Sequence, residues 1–162
     1  VGPDMVHVGA LGKPGQFRVA SDIQILVVGH NPPPEITALS RYGGVTVTGS
    51  VPDVRPYIAR SWVMAVPLRL GGGTRLKIME SMASALPIVS TTVGAEGTGV
   101  TNGEQLLLAD TPQRFVEQTA RLLGVDPPLP PSLAGLDTKP EHYDKGPNDY
   151  GWFKDYLKRV FK

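Results

Sequence analysis

The residues with the clearest chemical potential lie in one glycine-rich run, Gly71-Gly72-Gly73-Thr74, between a predicted strand and a predicted helix. Glycines let the backbone turn sharply and approach a ligand closely. The first turn of the following helix offers unpaired N–H groups and a partial positive charge, which together can hold an anion. The run therefore predicts a phosphate site. The alternative is a turn that serves only tight packing of strand and helix.

Two charged residues on the same helix extend this hypothesis. Lys77 lies one turn into the helix, where its ammonium group can reach back toward a phosphate. Glu80 follows three residues later on the same side of the helix. A carboxylate there can accept hydrogen bonds from two neighbouring hydroxyls, as on a ribose. The alternative is a surface ion pair between the two residues, worth about a few tenths of a kcal/mol.

The spacing of the glycines excludes two common nucleotide-binding motifs. The run matches neither the Gly-x-x-x-x-Gly-Lys-Ser/Thr pattern of a P-loop nor the Gly-x-Gly-x-x-Gly fingerprint of dinucleotide-binding domains. Four other polar residues are weaker candidates. Glu96 follows the fifth predicted strand and can line a cleft, whereas His30 ends the second strand, where ligand contact and a simple loop role are equally open. We interpret Asp53 and Arg55 as a helix cap and a surface charge.

Composition excludes several classes of protein. The 16 basic and 15 acidic residues give a net charge of +1, which offers no electrostatic basis for wrapping nucleic acid. Cysteine is absent, which excludes disulfides, thiolate zinc sites and a cysteine nucleophile. No apolar run approaches the roughly 20 residues of a membrane helix, and the N-terminus does not resemble a signal peptide. The 162 residues suffice for one domain, which we expect to be soluble and cytoplasmic.

Short apolar runs alternate with helical patterns along the chain, which indicates an α/β fold with a doubly wound parallel sheet. Several of these runs are continuous rather than alternating, as expected for strands covered on both faces. One helix has a clear apolar face with helical spacing, formed by Leu76, Met79, Met82, Ala83 and Leu86. The predicted strands cover residues 5–10, 23–28, 45–48, 63–67, 87–91 and 105–109. The predicted helices cover residues 35–40, 54–61, the segment opened by the glycine run, and 112–123.

Three segments define the predicted domain organisation. Residues 1–124 form the α/β domain, residues 125–148 are a proline-rich connector, and residues 149–162 form a terminal docking helix. The docking helix carries an apolar face that must pack on another surface, for which this domain's own sheet is the simplest choice. Residues 11–22, between the first two strands, leave barely enough length for a parallel crossover and lack a helical pattern. Either the crossover is shortened or a segment is missing from the sequence here.

Several blocks of the sequence together resemble the family-4 glycosyltransferases. The blocks are residues 25–29, 47–54, 63–69, the glycine-rich turn, 77–91 and 94–97, and their order matches that family throughout. The similarity covers roughly residues 23–124. It implies the Rossmann-like C-terminal half of a GT-B fold, which binds a sugar nucleotide such as a UDP- or GDP-sugar between two such halves. The implied activity is retaining hexosyl transfer to a glycan or lipid-linked acceptor, with no obligatory metal or other cofactor.

The resemblance also assigns roles to individual residues. It implies that Glu80 binds the ribose hydroxyls and that the diphosphate rests on the backbone amides of the glycine run, with a basic side chain neutralising it. The nucleobase meets the loop at residues 49–52, largely through backbone groups. The implied diphosphate ligands are Gly72, Gly73 and Thr74 with Arg75 or Lys77, the base loop contributes Ser50 and Val51, and Lys13 aligns with a phosphate-binding lysine of many relatives.

The chain departs from the family pattern in ways that leave other functions open. Gly72 stands where the family's Glu-x7-Glu motif has its first glutamate, which normally contacts the transferred sugar. The family's N-terminal acceptor-binding domain, through which membrane association would arise, has no counterpart here. We therefore expect weak nucleotide binding and little transfer by this chain alone. The alternatives are a non-catalytic nucleotide- or phosphate-binding module and a sugar-nucleotide epimerase.

Overall fold

A single six-stranded sheet carries the fold, with the strand order β3-β2-β1-β4-β5-β6. The computed structural model describes residues 7–11, 23–70 and 73–124, and for residues 7–11 it describes the backbone alone. The strands are β1 (His7–Leu11), β2 (Gln24–Val28), β3 (Val45–Gly49), β4 (Ser61–Val66), β5 (Ile88–Ser90) and β6 (Leu107–Leu108). The mixed α/β, Rossmann-like class expected from the sequence is confirmed.

Helices follow most of the strands, as the alternation of patterns predicts. They are α1 (Pro34–Thr37), which continues as a 3₁₀ helix (Ala38–Arg41), α2 (Arg55–Arg60), α3 (Leu76–Ala83), α4 (Thr92–Ala95) and α5 (Pro112–Leu123). The bounds of α5 agree with the prediction. The Thr111 hydroxyl accepts a hydrogen bond from the Arg114 N–H at its start, and Gly124 ends it at a φ of 67°. The sequence did not predict α4, which is only one turn long.

Strand β4 is buried on both faces, which explains why its sequence is apolar without alternation. Val63 and Ala65 point into a core formed with α1, the 3₁₀ helix and α5, whereas Met64 and Val66 point into a second core formed with α2 and α3. Because successive side chains of a strand face opposite sides of the sheet, a strand covered on both faces must be apolar at every position. The doubly wound arrangement is therefore confirmed.

The direction of β1 corrects the expectation of an all-parallel sheet. Strands β2 and β3 pair in parallel, as do β4, β5 and β6, but β1 runs antiparallel to both of its neighbours, β2 and β4. A parallel crossover needs a dozen or more residues and usually a helix. The link between β1 and β2 is a dozen residues long, at the lower limit for such a crossover, and the antiparallel pairing has the chain enter β2 from the edge at which β1 ends. The remaining five strands share one direction.

Helix α3 buries a different face from the one its apolar pattern suggested. Its fully buried residues are Ile78 and Ser81, and the Ser81 hydroxyl donates to the Lys77 carbonyl oxygen at 2.6 Å. Leu76, Met79 and Met82 instead remain 52%, 50% and 39% exposed. The small Ser81 side chain allows close approach to the sheet, and its hydroxyl is satisfied within the helix. The long apolar side chains consequently lie on the outside.

The proline-rich connector at 125–148, the docking helix at 149–162 and the short link at 12–22 lie outside the described residues. The domain boundary at residue 124 therefore stays a prediction. Strand β6 is shorter than the predicted 105–109, because Leu106 pairs instead with Asn102 in an isolated bridge.

Two isoleucines test the packing of the core that β4 shares with α1, the 3₁₀ helix and α5. We expect Ile36→Ala to lower the free energy of unfolding by about 2–5 kcal/mol, because Ile36 is fully buried and truncation leaves a cavity. Ile23→Ala serves as the control, since Ile23 is only partly buried against the same core and should cost less than half as much. Urea denaturation measures both values. Equal losses would contradict the assignment of Ile36 to the centre of this core.

Candidate functional site

The candidate site lies at one edge of the sheet, beyond the carboxyl ends of the five strands that share a direction. The segments after β2, β3, β4 and β5 contain every predicted site residue that the structure describes. In open α/β sheets this edge is where ligands bind. Lys13 and Gly72 lie outside the described residues.

The described half of the glycine turn is open to solvent. Gly73 and Thr74 follow the carboxyl end of β4, both are exposed, and Gly73 has a φ of 117°, which favours glycine. Neither of their N–H groups donates to a backbone carbonyl within the described residues. Helix α3 then begins, with the Ile78 N–H donating to the Arg75 carbonyl oxygen at 3.0 Å. This arrangement leaves donors near the amino end of α3 available to an anion.

A buried threonine ties the turn to the neighbouring strand. The Thr91 hydroxyl donates to the Leu68 carbonyl oxygen, and the Thr91 N–H donates to the Val66 carbonyl oxygen at 3.2 Å. Thr91 also accepts a hydrogen bond from the Gly94 N–H at 3.0 Å, which caps α4. These contacts fix the start of the loop between β4 and α3 relative to β5.

Arg75 and Glu96 come together at this edge. Arg75 is the residue before α3 and Glu96 the residue after α4, and the guanidinium Nη2 lies 3.6 Å from Glu96 Oε2. The Arg75 side chain is only 10% exposed, whereas that of Glu96 is 74% exposed. A guanidinium keeps its charge in this surrounding, so a fixed positive charge lies beside the turn. Sequence reasoning named both residues but did not predict that they pair.

Glu80 has an unsatisfied carboxylate oxygen. Its Oε2 atom is buried, and no hydrogen-bond partner contacts it. Within the described residues Glu80 forms no ion pair, so the surface pair with Lys77 suggested by the sequence is not formed. A buried polar atom without a partner costs about 1–3 kcal/mol, and more when it is charged. Such an atom in a folded protein calls for an explanation, and a ligand hydroxyl is one.

A second contact joins the ends of β2 and β3. His30 Nδ1 lies 2.6 Å from the Ser50 hydroxyl oxygen, and the Gly29 N–H donates to the Gly49 carbonyl oxygen at 3.4 Å. Both His30 and Ser50 are exposed, and Val51 beside them is half-buried. The sequence placed each residue after a strand, but only the parallel pairing of β2 with β3 brings them together.

Two other pairs lie near this edge, one between residues close in sequence and one between the segments that follow neighbouring strands. Oδ1 of the Asp53 carboxylate accepts two hydrogen bonds from Arg55. One comes from the backbone N–H and one from the side-chain Nε, and both are 2.9 Å long. The hydrogen bond from the Arg55 side chain holds the pKa of Asp53 below its ordinary value. The Asp110 carboxylate accepts hydrogen bonds from the Thr92 N–H and hydroxyl, both at 2.7 Å. Sequence reasoning missed this second pair, although both residues follow predicted strands.

No group of three His, Asp or Glu side chains suited to a metal ion occurs in the described part of the chain. No helix among the described residues is long and apolar enough to cross a bilayer. Neither finding bears on residues 125–162.

Comparison with known proteins agrees with the resemblance seen in the motifs. The family model described as glycosyl transferases group 1 matches residues 15–124. An uncharacterized 44.6 kDa protein in the cps region of Klebsiella pneumoniae is 39% identical over 51 residues. That match covers 32% of this chain and 13% of the Klebsiella protein. No solved structure matches this chain.

The close packing of α4 against β4 and β5 gives a prediction for this edge of the sheet. A Cβ atom at Gly94 would lie 3.0 Å from the Val66 carbonyl oxygen and closer still to the Ser90 hydroxyl. We expect Gly94→Ala to lower the free energy of unfolding by about 1–3 kcal/mol through overpacking. A Cβ atom at Gly43 meets nothing within 4 Å, so Gly43→Ala should change it by less than about 0.5 kcal/mol. Thermal or urea unfolding tests both variants, and a neutral Gly94→Ala would refute this packing.

Proposed function

Because the chain belongs to the glycosyl transferases group 1 family, we propose that residues 1–124 are the donor-binding half of a GT-B glycosyltransferase. The proposed donor is a sugar nucleotide such as a UDP- or GDP-sugar, bound beyond the carboxyl ends of the parallel strands. The observation that carries this proposal is the buried, unpartnered Oε2 of Glu80 on the helix that follows an exposed glycine turn. An anion site and a hydroxyl acceptor on the same short helix fit a diphosphate and its ribose.

The diphosphate is proposed to lie at the amino end of α3. The N–H groups of Gly73 and Thr74 supply donors there, and the nearly buried Arg75 guanidinium supplies positive charge. The Glu96 carboxylate already faces that guanidinium at 3.6 Å but is itself mostly exposed. A phosphate can therefore replace the Glu96 carboxylate as the partner of the Arg75 guanidinium, while that carboxylate stays hydrated. Lys77, the second residue of α3, adds a second cation.

The ribose is proposed to bind through Glu80. Its free Oε2 can accept a hydrogen bond from a ribose hydroxyl, which supplies the partner that the protein lacks. Because the oxygen is buried, such a charge-assisted hydrogen bond would be stronger than one made in water. The base then extends toward the ends of β2 and β3, where Ser50 and Val51 form the loop that the family resemblance assigns to it.

The proposed reaction is retaining transfer of a hexosyl group to a glycan or lipid-linked acceptor. The bond between the anomeric carbon and the diphosphate oxygen breaks, and a bond forms from that carbon to an acceptor hydroxyl, whose proton leaves with the diphosphate. As the sugar gains oxocarbenium character, negative charge develops on the diphosphate, and the donors at the start of α3 stabilise it. The family resemblance implies no obligatory metal for this step.

Transfer is proposed to need a second half that faces this edge of the sheet. One sheet can hold a nucleotide but has no opposing wall to orient the acceptor and exclude water. The similar Klebsiella protein has a mass of 44.6 kDa, whereas this chain has a mass of 17.3 kDa, which leaves room in that protein for a second half. A cytoplasmic location, with membrane association through that other half, belongs to the same proposal.

Glu80→Gln tests the donor site. Removing an unsatisfied buried charge should leave the free energy of unfolding unchanged or raise it, while the affinity for UDP or GDP falls roughly 10- to 100-fold, as expected for about 1.5–3 kcal/mol. Calorimetric titration measures the affinity, with inorganic pyrophosphate as a second ligand whose binding should change little. Glu104→Gln is the control, because Glu104 is exposed and precedes β6 at the other edge. Unchanged nucleotide affinity in Glu80→Gln would remove this residue from the site.

Transfer itself is the second test of the proposal. We expect the 162-residue chain to bind nucleotide but to transfer no detectable sugar, because its described residues form a single sheet with no opposing wall. Mixing it with a separately expressed N-terminal half from a family member of similar sequence should restore transfer, followed as release of the nucleoside diphosphate. Efficient transfer by the chain alone would contradict the need for a second half. Nucleotide binding with no transfer in either case would favour the non-catalytic module.

A further inference from the structure

Glu96 combines an exposed carboxylate with a backbone that hydrogen bonds hold on both sides. Its own N–H donates to the Val93 carbonyl oxygen at 3.4 Å. The next turn is closed by Thr98, whose hydroxyl and N–H both donate to the Ala95 carbonyl oxygen, at 2.6 and 3.2 Å. The Glu96 side chain is nevertheless mostly exposed. A carboxylate in this setting is positioned to accept hydrogen bonds from a ligand.

Contacts with the neighbouring strands fix α4, the helix that Glu96 follows. The Thr92 N–H and hydroxyl, at its start, donate to the Asp110 carboxylate just after β6, both at 2.7 Å. The Gly94 N–H donates to the Thr91 hydroxyl at 3.0 Å, and a Cβ atom at Gly94 would lie only 3.0 Å from a β4 carbonyl oxygen. Glu96 therefore has a defined position relative to the strand ends.

The strand order places Glu96 on the far side of the proposed diphosphate site from the base loop. Ser50 and Val51 follow β3, the glycine turn follows β4, and α4 follows β5, which is the next strand after β4 in the sheet. A sugar nucleotide carries its base and its sugar at opposite ends of the diphosphate. A donor whose base lies at the ends of β2 and β3 and whose diphosphate lies at the start of α3 consequently directs its sugar toward α4.

Glu96 also lies on the same face of the sheet as α3. The preceding residue, Ala95, packs against the core that contains Ile78 of α3. The Glu96 Oε2 atom lies 3.6 Å from Nη2 of Arg75, the residue before α3. The carboxylate is thus within the reach of one side chain from the proposed diphosphate site. The sugar of the donor is bonded directly to the diphosphate, so it must occupy this neighbourhood.

The other carboxylates at this edge of the described structure have different surroundings. Asp53 and Asp110 accept hydrogen bonds from neighbouring side chains, and the unpartnered oxygen of Glu80 is buried. Glu35 is exposed, but α1 carries it after β2, on the base side and against the opposite core. Among the described residues, the exposed acidic side chain beside the diphosphate site is therefore Glu96.

We propose that Glu96 binds hydroxyl groups of the sugar that the donor carries, an inference that rests on the donor site proposed above. When a phosphate replaces Glu96 as the partner of Arg75, the carboxylate is left in water beside the ligand, and the sugar hydroxyls take the place of that water. Hydroxyls on two neighbouring carbons can each donate to one carboxylate oxygen. Hydrogen bonds to a charged acceptor are stronger than neutral ones, and such a site discriminates against a sugar that lacks the hydroxyl.

Calorimetric titration with nucleotides that do and do not carry a sugar tests this role. The quantity compared is the ratio of two dissociation constants, that of the sugar nucleotide divided by that of the free nucleoside diphosphate. The probes are UDP-glucose, UDP-galactose and UDP-N-acetylglucosamine with UDP, and GDP-mannose with GDP. For the sugar that the site prefers, we expect Glu96→Gln to raise the ratio about 10-fold, as the loss of a charge-assisted hydrogen bond predicts. The affinity for UDP or GDP alone should stay the same or rise, because Arg75 loses a competing carboxylate.

Two glutamates provide matched controls. Glu80→Gln should weaken the binding of the nucleotide and of the sugar nucleotide alike, because both contain the ribose, so the ratio should not change. Glu104→Gln should change neither affinity, because Glu104 is exposed at the other edge of the sheet. Deoxy analogues of the preferred sugar then identify the hydroxyl. The analogue that lacks it should bind the unsubstituted chain about as weakly as the parent sugar nucleotide binds Glu96→Gln, with little further loss in the variant.

A ratio that Glu96→Gln leaves unchanged for every sugar tested would overturn the inference. If that variant binds the nucleotide and the sugar nucleotide more tightly by the same factor, Glu96 is only a counter-ion of Arg75. Failure of the donor site itself gives a different result. A chain that binds none of the nucleotides before any substitution would overturn the proposed function, and this inference with it.

Discussion

The burial of strand β4 on both faces is the constraint on which the rest of the structure depends. Its alternate side chains reach both cores, so the strand cannot slide by one residue without exposing apolar side chains and inserting others where they do not fit. Its carboxyl end therefore has a fixed position, and Thr91 ties the following segment to β5 through the Val66 and Leu68 carbonyl oxygens. The glycine turn and the start of α3 are held at the sheet edge by this anchor.

Within that frame, the proposed donor site contains groups that the fold alone does not explain. A buried carboxylate oxygen without a partner destabilises the folded chain, yet Glu80 holds one on a helix whose other buried residues, Ile78 and Ser81, pack well. Unfavourable groups of this kind concentrate where binding supplies the missing partner. Arg75, nearly buried beside the exposed Glu96, has the same character, because its charge is kept close to a turn with available donors.

The sequence predicted the elements far better than their relations in space. Apolar runs without alternation identified β2 and β4 as buried on both faces, and Thr111 marked the start of α5. The direction of β1 could not be predicted from its own residues, because it shows only in the pairing of β1 with β2 and β4. The apolar pattern on α3 predicted the wrong buried face. Ser81, a polar residue, occupies a core position because its hydroxyl forms a hydrogen bond within the helix. The pairs His30–Ser50 and Thr92–Asp110 depend on which strands are neighbours, and this is a property of the topology.

These observations give helix α3 three distinct surroundings. Its inner side, at Ile78 and Ser81, packs on the sheet, its amino end carries the proposed diphosphate site, and its outer side exposes several long apolar side chains. An eight-residue helix is too short to be stable by itself in water, so its order comes from the surfaces that cover it. The same packing orients the donors at the amino end of the helix, where the diphosphate is proposed to bind. Any contact that further orders the outer side of α3 would lower the entropy cost of binding at its amino end.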